Sequence, residues 1–218
     1  MSLTDRSNSR RSVVAFGDSI TRGYGVADSS GWVSLLQRRF SSVTVVNAGG
    51  NGNTSREGLA RFEKDVAPWL PATVIVIFGG NDPVNEEARR VGLEEFRENL
   101  LEIVRRVGAA GGQCLLGTFP SIVSARHSTV ADPYFILRAG LDSEVENYRL
   151  VVREIAGRER LPLWDLDRQV RGWMAQYGNE TIIAADGIHW TELTNEMAAN
   201  AVAMRLCEFF PGFANAAA

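Results

Sequence analysis

An open, doubly wound parallel α/β sheet is the fold class this sequence predicts. Two observations carry it. Five short apolar runs alternate with longer segments of helical periodicity. The length of 218 residues suits one α/β domain better than two small ones. Several of the apolar runs are continuous instead of alternating, as strands covered on both faces of a parallel sheet require.

Along the chain, residues 1–11 read as a polar tail and 12–210 as the domain. Its strands are predicted over Ser12–Gly17, Val43–Asn47, Thr73–Phe78, Gln113–Thr118 and Leu161–Trp164. Thr54 followed by Glu57 is a capping box for a helix after the second strand. Leu93, Phe96, Leu100, Ile103, Val104 and Val107 recur at helical spacing, with Glu94, Glu95, Arg97 and Glu98 facing out. Val145, Tyr148, Val152 and Ile155 repeat the pattern, and so do Leu193, Met197, Ala201 and Met204. Phe119–Leu141 breaks the rhythm, and a stretch that long without a period is expected to be a lid or binding loop. Residues 211–218 read as a C-terminal tail.

Composition narrows the function. Hydrophobic residues are 45% and charged residues 22% of the chain, which suits a soluble protein with a substantial core. The net charge of −3 argues against a general nucleic-acid binder, which needs a basic surface. Lys64 is the only lysine, so no other lysine is available for a Schiff base. The start of the chain lacks the apolar run of a signal peptide, and no stretch has the length of a membrane span. Cys114 and Cys207 form no metal or redox motif and read as small buried hydrophobes. A cytoplasmic protein without integral membrane association is the expectation, with export as the alternative and its oligomeric state open.

In such sheets ligands sit beyond the carboxyl ends of the strands, so motifs there carry weight. Gly17-Asp18-Ser19-Ile20-Thr21 follows the first strand directly. Glycine permits a sharp turn, and a serine beginning a helix there projects from the sheet edge towards free backbone N–H groups. The alternative is an ordinary helix-capping serine. Asn47-Ala48-Gly49-Gly50-Asn51-Gly52-Asn53-Thr54 follows the second strand. It is a poor dinucleotide loop, because Ser55 replaces the third glycine and the strand is the wrong one. Gly79-Gly80-Asn81-Asp82 follows the third strand. The Asn81 amide there either donates to an oxyanion or only makes a turn. Asp186-Gly187-Ile188-His189 precedes the last helix. Histidine is the natural general base near neutral pH, and a carboxylate three residues earlier can fix its tautomer. The second of the two histidines, His127, reads as an exposed loop residue.

Taken in order, Gly-Asp-Ser, Gly52, Gly-x-Asn-Asp and Asp-x-x-His resemble the four blocks of the SGNH (GDSL-like) hydrolase superfamily, from about Val13 to about Leu206. The resemblance implies a flavodoxin-like three-layer α/β/α fold with about five parallel strands, and hydrolysis of an ester or thioester. It assigns Ser19 as nucleophile, His189 as base and Asp186 as its partner. The Ser19 and Gly52 backbone N–H groups and the Asn81 side chain become the oxyanion hole. Ile20 stands in place of the family's leucine, and Asn53 where many members carry aspartate, which touches only local turn bonding. The implied substrate is a small-molecule ester, with short-chain, carbohydrate, lysophospholipid and thioester substrates all open. No cofactor is implied, and two histidines without clustered cysteines offer little from which to build a metal site.

Trp32, Pro120, Tyr134, Phe135 and Trp190 are candidates to wall an acyl or sugar pocket, although aromatics also serve as core. Acyl transfer to an acceptor other than water uses the same residues. A non-catalytic binding module is expected to have lost one of them, and a flavin-binding protein to carry a serine- and threonine-rich phosphate loop.

Overall fold

A computed structural model describes residues 12–214. The polar tail 1–11 and residues 215–218 of the C-terminal tail lie outside the described residues. In chain order the elements are β1 (Ser12–Gly17), α1 (Ser19–Arg22), α2 (Trp32–Arg39), β2 (Thr44–Gly49), α3 (Ser55–Ala60), α4 (Phe62–Asp65) and β3 (Thr73–Ile77). They continue with α5 (Leu93–Ala109), β4 (Gln113–Gly117), α6 (Pro133–Ile136), α7 (Leu141–Arg158), β5 (Leu163–Trp164), α8 (Leu166–Tyr177), α9 (Asn179–Ile182) and α10 (Glu192–Phe209).

The five strands form one parallel sheet in the order β2-β1-β3-β4-β5, the flavodoxin-like arrangement the resemblance implies. All five predicted strands are present, with ends shifted by a residue or two. Alternation along β1 divides the core. Val13 and Ala15 join Ile75, Ile77 and Leu115 beneath α2, α8 and α10. Val14 and Phe16 join Val74, Val76 and Leu116 beneath α5 and α7. Helices therefore cover both faces, which explains the continuous apolar runs.

Local chemistry sets the helix starts. The Thr54 hydroxyl accepts from the Glu57 backbone N–H, and the Glu57 carboxylate accepts from the Thr54 N–H, so the predicted capping box closes. Phe96, Leu100, Ile103 and Val107 of α5 are buried as their spacing predicts, and so are Val145, Tyr148, Val152 and Ile155 of α7. The last helix departs from its expected face. Leu193 and Met204 are 44% and 66% exposed, while Thr194, Asn195, Ala198, Ala201, Val202 and Leu206 turn inward. Apolar residues lie all round α10, and its small inward residues let α2 approach closely. Spacing alone could not choose the face.

The aperiodic segment 119–141 is built from single turns: Ser124–Arg126, Ser128–Ala131 and α6. Arg149 of α7, fully buried, anchors its start. It donates to the Phe119 and Pro120 carbonyls at 2.9 and 2.7 Å and pairs with Asp142 at 2.6 Å. At the far end of the domain, Phe213 is buried against Phe40 and Phe210.

Candidate active site

The sheet order reverses between β1 and β3, and ligand sites of such sheets lie in the crevice this leaves at the carboxyl edge. Ser19, Gly52 and Asn81 follow β1, β2 and β3 respectively, so all three reach that edge. Asp18 caps α1 by accepting from the Ile20 N–H at 3.0 Å, which puts Ser19 at the first helical position. Its backbone N–H belongs to the first turn, where no intrahelical partner exists. Trp32 supports this turn from below, its indole N–H donating to the Ile20 carbonyl at 3.0 Å.

His189 arrives from the other end of the chain. Ile183 and Trp190 pair across an antiparallel bridge, and the turn between them presents Asp186 and His189. Asp186 Oδ1 accepts from the Ile188 and His189 backbone N–H groups, each at 3.0 Å. Asp186 Oδ2 lies 2.5 Å from His189 Nδ1, and His189 Nε2 lies 2.9 Å from Ser19 Oγ. Partial burial pushes Asp186 up, but the hydrogen bonds from the His189 ring and the two backbone N–H groups outweigh it. They hold the carboxyl below its usual range. A carboxylate partner fixes the Nδ1–H tautomer and leaves Nε2 free to accept the serine proton.

Gly52 has φ +70°, a conformation costly for any residue with a Cβ, so the Asn51-Gly52-Asn53 turn depends on glycine. Arg61 ties this turn to the sheet. Its guanidinium donates to the Gly17 and Ala48 carbonyls and, through Nε, to Asn53 Oδ1 at 2.7 Å. One acceptor oxygen is all Arg61 Nε needs, so asparagine serves at position 53. Asn81 Nδ2 donates to the Asn53 carbonyl at 3.1 Å and to Asp18 Oδ2 at 3.3 Å. Asp82 joins the third-strand loop to α3, accepting from the Ser55 N–H and hydroxyl and from the Gly79 N–H. Burial pushes the Asp18 carboxyl up to about 8 and that of Asp82 up to about 6.

Ser19, Gly52, Asn81, Asp186 and His189 line one cleft of about 500 Å³. The aromatic candidates fare differently. Trp32 is fully buried and packs edge-on against Trp164, Pro120 is buried, and Trp190 is 3% exposed in the core, so these three are packing residues. Tyr134 lies between the Arg90 and Arg138 guanidinium groups, 4.5 and 3.7 Å from its ring centre, and does not line the cleft. Phe135 lines an adjoining cavity.

Two cleft residues escaped the sequence reading. Tyr24 places its ring 4.5 Å from that of His189. Its position between Gly23 and Gly25, both at positive φ, was the available signal. His127 is half-buried in the cleft wall instead of exposed. The cause is Gly187 at φ +81°, where an added Cβ would lie 2.6 Å from the Val123 carbonyl oxygen and 2.9 Å from the His127 nitrogen. Only glycine lets the 123–127 turn lie so close to the Asp186–His189 turn. Among the described residues no group of three or more potential metal ligands occurs, and no helix is long and apolar enough to cross a membrane.

Fold and site together define a flavodoxin-like α/β protein with a serine–histidine–aspartate constellation at its switch point. The profile of the GDSL-like lipase/acylhydrolase family matches residues 15–197, and the chain belongs to that family. Esterase TesA of Pseudomonas aeruginosa is 36% identical over 110 residues, 49% of this chain and 53% of that protein. Thioesterase 1/protease 1/lysophospholipase L1 of Escherichia coli K12 is 35% identical over 115 residues, 52% of this chain. The chain spans about half the length of these two relatives, 53% in each case. Among solved structures, the lipase/acylhydrolase from Enterococcus faecalis superposes with TM-score 0.74 at 28% identity, covering 90% of this chain and 95% of that one.

Proposed function

We propose that the protein hydrolyses small or short-chain acyl esters or thioesters through a Ser19–His189–Asp186 triad. One observation carries this reading: the His189 ring spans Asp186 and Ser19 at 2.5 and 2.9 Å. Ser19 Oγ attacks the acyl carbon while His189 Nε2 takes the hydroxyl proton. The carbonyl oxygen becomes an oxyanion facing the Ser19 and Gly52 N–H groups and the Asn81 amide. Collapse of this intermediate breaks the bond to the leaving group, which receives the proton from His189 Nε2. Water then attacks the acyl-enzyme, giving its proton to His189, and the acid leaves as Ser19 recovers its hydrogen. The family membership and the esterase and thioesterase names of its relatives support the same chemistry. The free thiols of Cys114 and Cys207 suit a reducing, cytoplasmic compartment.

The test is release of p-nitrophenol from p-nitrophenyl acetate by the wild type and by Ser19→Ala. Loss of turnover with an unchanged circular dichroism spectrum is expected. Equal turnover by the two proteins would remove Ser19 from the reaction.

A further inference from the structure

The catalytic cleft has a neighbour. A second cavity of about 300 Å³ adjoins it, walled by Val84, Phe135 and Leu141 together with the polar Asn85, Glu86 and Asp132. Asn81, His127 and Ile188 line both spaces and so form the threshold between them. Chemistry decides what enters. The leaving group must face His189 Nε2 to be protonated, which places it on the side of Tyr24 and His189. The second cavity is lined by neither of these, nor by Ser19 or Asp186, so it receives the acyl chain. At the roughly 30 Å³ that a water-sized group occupies in a liquid, this volume has room for about ten such groups, so a six-carbon chain fits with space to spare.

His127 makes this threshold polar. The Thr129 backbone N–H donates to His127 Nδ1 at 3.3 Å, and the Thr129 hydroxyl lies 2.9 Å from the same atom. A backbone N–H can only donate, so Nδ1 is the acceptor and the ring's proton sits on Nε2. Burial lowers the His127 pKa and favours this neutral form, and the nearby His189 acts in the same direction against the pull of Asp186. No described residue bonds to Nε2. An all-carbon chain drawn through the threshold strips water from this donor and returns nothing, whereas an oxygen in the chain takes its hydrogen bond.

We propose that His127 is a specificity-determining residue, donating its Nε2–H to an acceptor oxygen near the carbonyl of a medium-length acyl chain. The preferred substrates are then esters of oxygenated acids, such as hydroxy, oxo or ether acids. This rests on the esterase reading of the site.

The experiment compares p-nitrophenyl hexanoate with p-nitrophenyl propoxyacetate, whose chain has the same number of atoms with an ether oxygen in place of one methylene. The wild type, His127→Phe and His127→Gln are assayed on both, and the loss in each variant is taken relative to wild type. That ratio cancels the intrinsic reactivities of the two esters. His127→Phe keeps a ring without the donor and is expected to lose about 10-fold more kcat/KM on propoxyacetate than on hexanoate. His127→Gln, which keeps an N–H donor, is expected to recover most of the difference. Equal losses on the two esters would reduce His127 to a structural role and overturn the proposal. A wild type without Ser19-dependent turnover of p-nitrophenyl acetate would overturn the esterase reading itself, and this proposal with it.

Discussion

Both amide hydrogens of Asn81 are engaged in the resting site, by the Asn53 carbonyl and the Asp18 carboxyl. In the proposed reaction, an arriving oxyanion is a stronger acceptor than a neutral carbonyl and competes for this donor without any movement of the chain. Asn81→Ala is expected to lower kcat by about 10²–10³-fold with a small change in KM, measured by steady-state ester hydrolysis. A loss confined to KM would remove Asn81 from the oxyanion hole. Gly52→Ala meets no atom within 4 Å, so its cost comes from backbone strain at φ +70°. That strain is expected to lower stability by about 1–2 kcal/mol, read from urea unfolding, and to lower kcat further by turning the N–H away. At this scale, Ser19, Asp186 and His189 could be singled out in sequence because few residue types suit such chemistry, and the structure brings the three together. His127 and Tyr24 were harder to read. Each is ordinary in type: the glycines at 23, 25 and 187 are visible in sequence, but not the close approaches that their positive φ allows.

Arg149 shows how an element can position a loop it does not belong to. Its guanidinium, fully buried under α7, holds the Phe119 and Pro120 carbonyls and is neutralised by Asp142, Glu146 and Asp167. Arg149→Ala strands these partners and is expected to cost about 3–5 kcal/mol in urea unfolding. A loss below 1 kcal/mol would mean that the cluster behaves as a surface pair. The five strands were legible because a sheet covered on both faces forces long apolar runs. The inward face of α10 was not, because alanines and methionines surround it and only the neighbouring α2 decides which side is buried. The path of segment 119–141 was also hidden. It rests on hydrogen bonds from Arg149 and on the close approach at Gly187, and neither has a period.

Over the whole molecule, two buried carboxyls at the carboxyl edge of the sheet carry a cost in stability. Asp18 and Asp82 are pushed up to about 8 and about 6 by burial, from an ordinary value of 3.8. Between the ordinary and the raised values the folded protein keeps protons that the unfolded chain has released. Stability therefore falls as pH rises from about 4 towards 8 on account of these two groups. Asp18→Asn removes one of the charges, so its Tm relative to wild type is expected to rise as pH increases across that window. A difference that does not change with pH would show that Asp18 does not titrate there.

The serine and the histidine that touch at the cleft stand 170 residues apart. Synthesis runs from one to the other, and the turn carrying Asp186 and His189 is made after every strand of the sheet. A growing chain that has already begun to fold from its N-terminus thus carries Ser19 before the cleft is complete, because Asp186, Ile188 and His189 form part of its wall. On the proposed mechanism, the Ser19 hydroxyl gains its proton acceptor only once the turn carrying His189 has folded against it.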